Sequence, residues 1–370
     1  MQIEIYNMIP VGANISISLE AVCDSFSSLL WDIEYYKCGA FKVYIAASPR
    51  NIEIFQTGRI VGRDDDREHF GLIESVELET DAEDGDYLII KGRFLMCLLE
   101  RRIIYPTFNF TKFVSYSQIV MNVVQYNACT TGIRKLPGLV VGCSSGTCWN
   151  AETKLQVSYD NLMEWVYTIC EKIGGTANIR LSKTDNEQYE MIFELLQGTD
   201  RSILQEVNPH IIFSDRYNNL LSFTYFMDTS VKKNYAYVLG KGEGEKRKRT
   251  TYFEGTEPSS LDRYEMYVDA KDILDEEQEN GKTKPLSEEE YSELLKEKGK
   301  QNLVPITMKS ESQIAVQSTQ FQYGVDYFVG DFVTAEHHRF GIRQNKIQLV
   351  GMIESFDRNG RNLTPTFKEV

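Results

Sequence analysis

No stretch of this 370-residue chain is apolar for long enough to cross a bilayer, which as a helix takes about 20 consecutive apolar residues. The opening MQIEIYNMIPVG has neither the basic start nor the continuous apolar core of a secretory signal. Membrane insertion is not expected, and synthesis in the cytosol is. Positive charge is scarce as well: 40 Lys and Arg face 54 Asp and Glu, a formal net charge of −14. Gripping nucleic-acid phosphates takes clustered cations that displace counterions, so a phosphate-gripping role is disfavoured, although an acidic surface can still face DNA that slides past it. Histidine is rare; His69 and His210 are isolated, and His337 and His338 are adjacent. Neighbours in a strand point to opposite faces, so no metal cage is expected. The seven cysteines are an odd number spread over the first half, and Cys143 and Cys148 in CSSGTC lack the second pair that a zinc site needs. Free thiols are the expectation.

What is present suits a soluble, strand-rich protein. Hydrophobic residues make up 42%, an ordinary share, while 21 Tyr and 19 Phe favour strands and interfaces. The length suggests roughly two to four compact units. Residues 1–105 alternate with period two through Ile3 and Ile5, Ile15 to Leu19, Phe41 to Ile45, Ile52 and Ile54, Val76 and Leu78, and Leu88 and Ile90. Turn residues separate these runs at Pro10–Asn14, Ser48–Asn51, Arg63–Asp66 and Ala82–Asp86. The spacing predicts a barrel-like or sandwich unit.

Residues 106–205 read as a small α+β unit: helices over Tyr116–Asn127 and Asn161–Ile173, the second stopped by Gly174 and Gly175, then strands near Ala177–Leu181 and Tyr189–Leu195. Strand texture returns over 206–255 and again over 311–370, predicting a second, split barrel-like antiparallel unit. Residues 256–310 form a charged insertion. In it Ser287 is placed to cap a helix with Glu290 at the capping-box position, and Glu276–Lys284 reads as a flexible linker. The fold class expected is α+β, mainly β.

Signatures of chemistry are few. Gly240, Gly242 and Gly244 in YVLGKGEGEKRKR lack the Ser or Thr and the following helix of a phosphate loop, so a glycine-rich bend with an exposed basic hairpin is expected. Lys246, Arg247, Lys248 and Arg249 form the one dense basic cluster and are candidates for a partner contact. RDDDREH, Arg63–His69, lacks the ligand spacing and glycine of a calcium loop and reads as a solvated tip. YGVDYFVGDFV, Tyr323–Val333, is architectural: Gly324 and Gly330 supply turn geometry, and Asp326 and Asp331 can bond nearby backbone amides. No catalytic, cofactor-binding or metal-binding residue is singled out. A carboxylate pair acting on cell-wall polymers, or a carbohydrate-binding surface using exposed Tyr and Trp such as Trp31 and Trp149, stand as alternatives; Trp165 lies at a helical core position.

An ordered set of patterns resembles the siphophage family of tail-hub or tail-associated proteins, which are related in fold to the baseplate hub of contractile-tailed phages. The set is IIKGRFLMCLLERRIIYP (Ile89–Pro106), NPHIIFSDRYNNLLSF (Asn208–Phe223), YVLGKGEGEKRKR, RYEMYVDAKDI (Arg263–Ile273), YGVDYFVGDFVT and LTPTF (Leu363–Phe367). The resemblance implies a virion structural protein of the tail, assembled as a homotrimer of chains with two barrel-like domains each. Its implied partners are distal-tail, tape-measure and fibre or receptor-binding proteins, with genomic DNA passing through the lumen without specific binding. Many members carry a C-terminal hydrolase or fibre module; the sequence here stops just after LTPTF, so lytic activity and cofactors are not expected.

Overall fold

The structure is a computed structural model and describes residues 1–11, 14–81, 85–130, 132–183, 189–279, 282–304, 307–314 and 320–369. Strands take up 48% and helices 21%, so the chain is mainly β, in several sheets of which none closes into a barrel among the described residues.

The N-terminal unit contains β1 (Ile3–Val11), β2 (Asn14–Cys23), β3 (Ser28–Glu34), β4 (Ala40–Ala46), β5 (Ile60–Arg63), β6 (Asp66–Asp81) and β7 (Gly85–Phe94). Alternation does what it predicts for Phe41, Val43, Ile45 and Ile90, which fill one core together with Leu29, Trp31 and Ile33 of β3, a strand the sequence reading did not mark. Ile52 and Ile54 are a correction. They belong to a short helix α1 (Pro49–Ile54), because Ser48 accepts the Asn51 amide at 3.0 Å and Pro49 fits the first helical turn. The hairpin expected over Ala82–Asp86 has its tip outside the described residues, although Asp81 and Gly85 pair at its mouth.

The central unit holds β8 (Phe108–Ser115), α2 (Tyr116–Val124), β9 (Leu139–Ser144), β10 (Glu152–Val157), α3 (Leu162–Ile173), β11 (Thr176–Lys183) and β12 (Tyr189–Leu196). Asn161 caps α3 by accepting the Met163 and Glu164 amides, and Gly174 ends it in the left-handed conformation. The apolar faces of α2 and α3 share one continuous core with Leu95–Leu99 and with Tyr6, Ile60, Phe70 and Leu72 of the first sheet.

The last unit comprises β13 (Ile212–Ser214) and β14 (Leu220–Asp228), then, beyond an insertion, β20 (Thr307–Ile314), β21 (Phe332–His337), β22 (Ile342–Asp357) and β23 (Gly360–Glu369). The insertion carries β15 (Tyr235–Leu239), β16 (Arg249–Phe253), β17 (Glu265–Asp269), β18 (Glu276–Glu279), β19 (Lys282–Pro285) and α4 (Glu288–Asn302). Two expectations change here. Strands β15 and β16, expected in the split β unit, pair with each other and with β17, and pack Ala236 and Val238 against Tyr291, Leu294 and Leu295 of α4. Backbone bonds between Lys233 and Val304 close the stem of this body. The segment read as a flexible linker is the β18–β19 hairpin, whose cross-strand register composition does not reveal.

One 13-stranded sheet runs through both β units in the order β14-β20-β23-β22-β3-β4-β7-β6-β5-β1-β2, with β21 beside β22 and β13 beside β21. Among the described residues one antiparallel pairing joins the two sets, Leu29–Glu34 of β3 against Gly351–Phe356 of β22.

The Ser287–Glu290 capping box on α4 is complete, with the Ser287 hydroxyl accepting the Glu290 amide and the Glu290 carboxylate accepting the Ser287 amide. Ser287→Ala is expected to destabilise the insertion by about 1 kcal/mol, read by hydrogen exchange as lost protection in α4 with β3 and β22 amides unchanged.

Candidate functional site: the junction of the three units

The motif Tyr323–Val333 folds as two tight turns. In the first, Gly324 has a φ of +83° and the Asp326 carboxylate accepts the Gln322 amide at 2.7 Å. In the second, Gly330 has a φ of +101°, and buried Asp331 accepts the Thr199 amide at 2.7 Å, the Phe328 amide at 3.1 Å and Arg201 Nε at 2.9 Å. Thr199 and Arg201 follow β12, so this one carboxylate fastens the last β unit to the end of the central unit. Backbone bonds from Arg201 to Phe332 O and from Phe332 to Thr199 O run alongside it.

The approach is close enough to demand two glycines. A Cβ on Gly198 would lie 1.8 Å from the Gly330 carbonyl oxygen, and one on Gly330 would lie 2.3 Å from the Tyr35 ring. Tyr35, which follows β3, brings in the N-terminal unit: its hydroxyl accepts the Gly198 amide at 2.9 Å and donates to Gly174 O at 3.3 Å. Beside it the Tyr36 hydroxyl donates to Gln348 Oε1 at 2.6 Å, and Gln348 Nε2 donates to Gly330 O at 2.9 Å. Burial pushes the Tyr35 and Tyr323 hydroxyls well above the ordinary tyrosine range, so both stay neutral donors.

RDDDREH is the clearest correction. It was expected as a solvated tip, and the structure folds its ends into the junction, with Arg63 only 1% exposed. Arg63 donates to Asp65 at 2.8 and 2.9 Å and to Glu354 of β22 at 3.3 Å, and stacks against Trp31 and Phe356. Asp66 accepts Trp31 Nε1 at 2.9 Å and meets His69 Nδ1 at 2.9 Å. Burial opposes the charge on Asp66, but His69, the Trp31 N–H and Arg63 outweigh it and hold its carboxyl well below the usual range. Burial likewise opposes charging His69, and Asp66 more than reverses that, raising its pKa.

These groups surround a cleft of about 350 Å³ lined by Tyr35, His69, Ser145, Asn178, Tyr323 and Asp331 among others. His69 oriented by Asp66 resembles half of a triad, yet no hydrogen bond joins Ser145 to His69 among the described residues. No group of three metal-ligating side chains occurs among the described residues. What the arrangement does chemically is hold: its hydrogen bonds and ion pairs run across three units, with Arg63 Nη1 left as a buried donor without a partner among the described residues. Trp31 and Trp149 are fully buried, which removes the exposed tryptophans on which a carbohydrate-binding surface was read.

The other sequence candidates lie apart, in the insertion. Gly240–Lys248 is the β15–β16 connection, with Gly242 and Gly244 at positive φ and Gly240 packed on the Tyr291 hydroxyl. Arg247 is turned inward to Gly240 O, Leu239 O and Asp269, and Lys248 covers the Tyr291 ring. Only Lys246 and Arg249 of the basic cluster stand exposed. Sequence reasoning passed over Tyr35, Tyr36, Gly198, Gln348 and Glu354; no local motif marks them, because their partners are distant in sequence.

Gly198→Ala is expected to cost about 3 kcal/mol, the upper range for overpacking a rigid contact, read by chemical denaturation. A second prediction concerns pH. A raised folded pKa makes His69 stabilising below its unfolded value, about 6.5, and that stability is lost as pH rises through the folded value. As pH rises above about 6.5, the wild type should therefore lose thermal stability by an increment that His69→Gln lacks. Equal slopes in the two proteins would refute the assignment.

The fold has relatives among solved structures. The tail protein from Neisseria meningitidis MC58 is 13% identical with a TM-score of 0.55, covering 100% of this chain and 96% of its own. Prophage tail protein gp18 from Listeria monocytogenes EGD-e is 12% identical, TM-score 0.54, covering 99% and 94%. The 43 kDa tail protein of prophage MuSo2 from Shewanella oneidensis is 12% identical, TM-score 0.54, covering 99% and 98%. No curated protein matches the sequence. Residues 3–367 match the family model of the Siphovirus ReqiPepy6 Gp37-like protein, and the chain belongs to that family.

Proposed function

We propose that this chain is a structural hub protein of a bacteriophage or prophage tail, forming a ring at the distal end of the tail tube through which DNA passes and on which tip or fibre proteins attach. The observation that carries the reading is likeness over the whole chain: the family match spans residues 3–367, and the tail proteins from three bacteria share the fold over 99–100% of the chain. The junction supports it too, since interlocked backbone turns and buried pairs suit a part that bears load.

In this reading the strand sets β1–β7 and β13, β14 and β20–β23 are the two barrel-like units. Three chains then present six quasi-equivalent units and match a threefold hub to a sixfold tube through contacts that close into a ring. Net negative charge on the lumen wall repels DNA phosphates and keeps the genome from sticking. The insertion faces outward, with Lys246 and Arg249 as its contact to a neighbouring tail protein, and the hub does no chemistry of its own.

Light scattering on the purified protein, alone and mixed with its distal-tail protein, is expected to give the mass of three chains. A monomer under both conditions overturns the ring, as does a trimer structure with a neutral or basic lumen. Clearing of a cell-wall suspension that is abolished by replacing one carboxylate would instead favour a hydrolase.

A further inference from the structure

Three clefts among the described residues differ in charge. The junction cleft has Glu34, Glu68 and Asp331 against Lys37 and His69. A second, of about 260 Å³, has Asp160, Glu164, Asp272 and Glu297 against Lys154 and Lys298. The third is the largest, about 570 Å³, and its lining carries Lys172, Lys232, Lys233 and Lys300 against Glu254 alone. In a chain of net charge −14 this is a local reversal of sign.

The bland account of these lysines covers only half of them. Lys172 and Lys300 lie in the last turns of α3 and α4, where a cation offsets the helix dipole, and Lys172 also pairs with Glu297. Lys232 and Lys233 are on the strand-like stem of the insertion and have no such reason. No ion pair to a carboxylate is formed by Lys232, Lys233 or Lys300 among the described residues; Lys232 only covers the Tyr264 ring, at 4.9 Å. The ammoniums of this concave wall outnumber its single carboxylate, Glu254, and a bound dianion offsets the surplus. The remaining wall includes half-buried Ile173, Leu303 and Val304, which offer an apolar surface to an uncharged body. The volume falls within the range of roughly 300–1,000 Å³ typical of small-molecule sites.

We propose that this cleft binds a compact phosphate-bearing ligand of the sugar-phosphate class. The phosphate is held by Lys232, Lys233 and Lys300, and the sugar lies against Ile173 and Leu303. Phosphate is favoured over a sugar carboxylate because its second charge answers the surplus of ammoniums, which bind phosphate as point charges. The wall is made by the ends of α2 and α3 on one side and by the insertion stem at Lys233 and Val304 on the other, so the ligand bridges the central unit and the insertion. This assignment is independent of the hub reading.

Titration calorimetry of the full chain at constant ionic strength, with glucose 1-phosphate, glucuronate and glucose as probes, tests it. Glucose 1-phosphate is expected to bind, glucuronate at least tenfold more weakly, and glucose not at all. The double variant Lys233→Ala with Lys300→Ala breaks no described ion pair and gives up only the helix-end placement of Lys300, so it should stay folded and lose at least tenfold in affinity. The proposal is overturned if glucose 1-phosphate does not bind the wild type, if glucuronate binds equally well, or if the folded double variant binds unchanged.

Discussion

Arg63 and Glu354 come from opposite ends of the chain, and their side chains retain only 2% and 4% of their exposure. A guanidinium taken out of water costs several kcal/mol unless charge and hydrogen bonds are returned to it. Here Asp65 and Glu354 return the charge, and the Trp31 and Phe356 rings cover the faces. Glu354 is opposite Trp31 in the β3–β22 ladder. A slip of one residue would turn Glu354 to the other face of the sheet and strand Arg63 without it. The pair therefore selects the register, and the register places everything downstream. Tyr35, next after β3, bonds Val350 O, and Gly330 bonds Leu349 O, which sets the Gly330 turn against the Tyr35 ring.

The insertion is built on a different principle. It has its own small core around Val238, Tyr291 and Leu295 and a backbone-bonded stem. Its described ties to the central unit are polar, such as the Lys172–Glu297 ion pair and the bond from the Leu274 amide to Gln156 at 2.9 Å. Interfaces of that kind resemble those between partners more than those within a core. The sheet and the insertion thus divide rigidity from adaptability, and the composition of the insertion can change with little effect on Arg63 or Asp331.

Much of this was legible in the sequence where the signal was local. Period-two alternation located β1, β2, β4 and β7 but not β3, the Ser287 box located α4, and Asn161 with Gly174 bounded α3. The turn reading of Gly324, Asp326, Gly330 and Asp331 described backbone geometry, but nothing nearby said that Asp331 would reach Thr199 and Arg201. Charge misled at RDDDREH, since a run of acids and bases looks the same whether water or Glu354 and Trp31 surround it. Composition misled at Glu276–Pro285 as well, where a polar hairpin has the residue content of a linker. Pairing across long sequence separations, as between β3 and β22 or Gly198 and Gly330, leaves no periodic trace.

The ladder between β3 and β22 also orders events during synthesis. Closing so long a stretch of chain is entropically costly and slow compared with forming the neighbouring hairpins. Until β22 leaves the ribosome, β3 has an open edge and Arg63 lacks one of its two acidic partners. The open edge of β3 is thus closed only once β22 has been made, so a chain cut before β22 carries an uncapped sheet edge. The first sheet to be made is therefore the one that waits for a distant strand to close its edge.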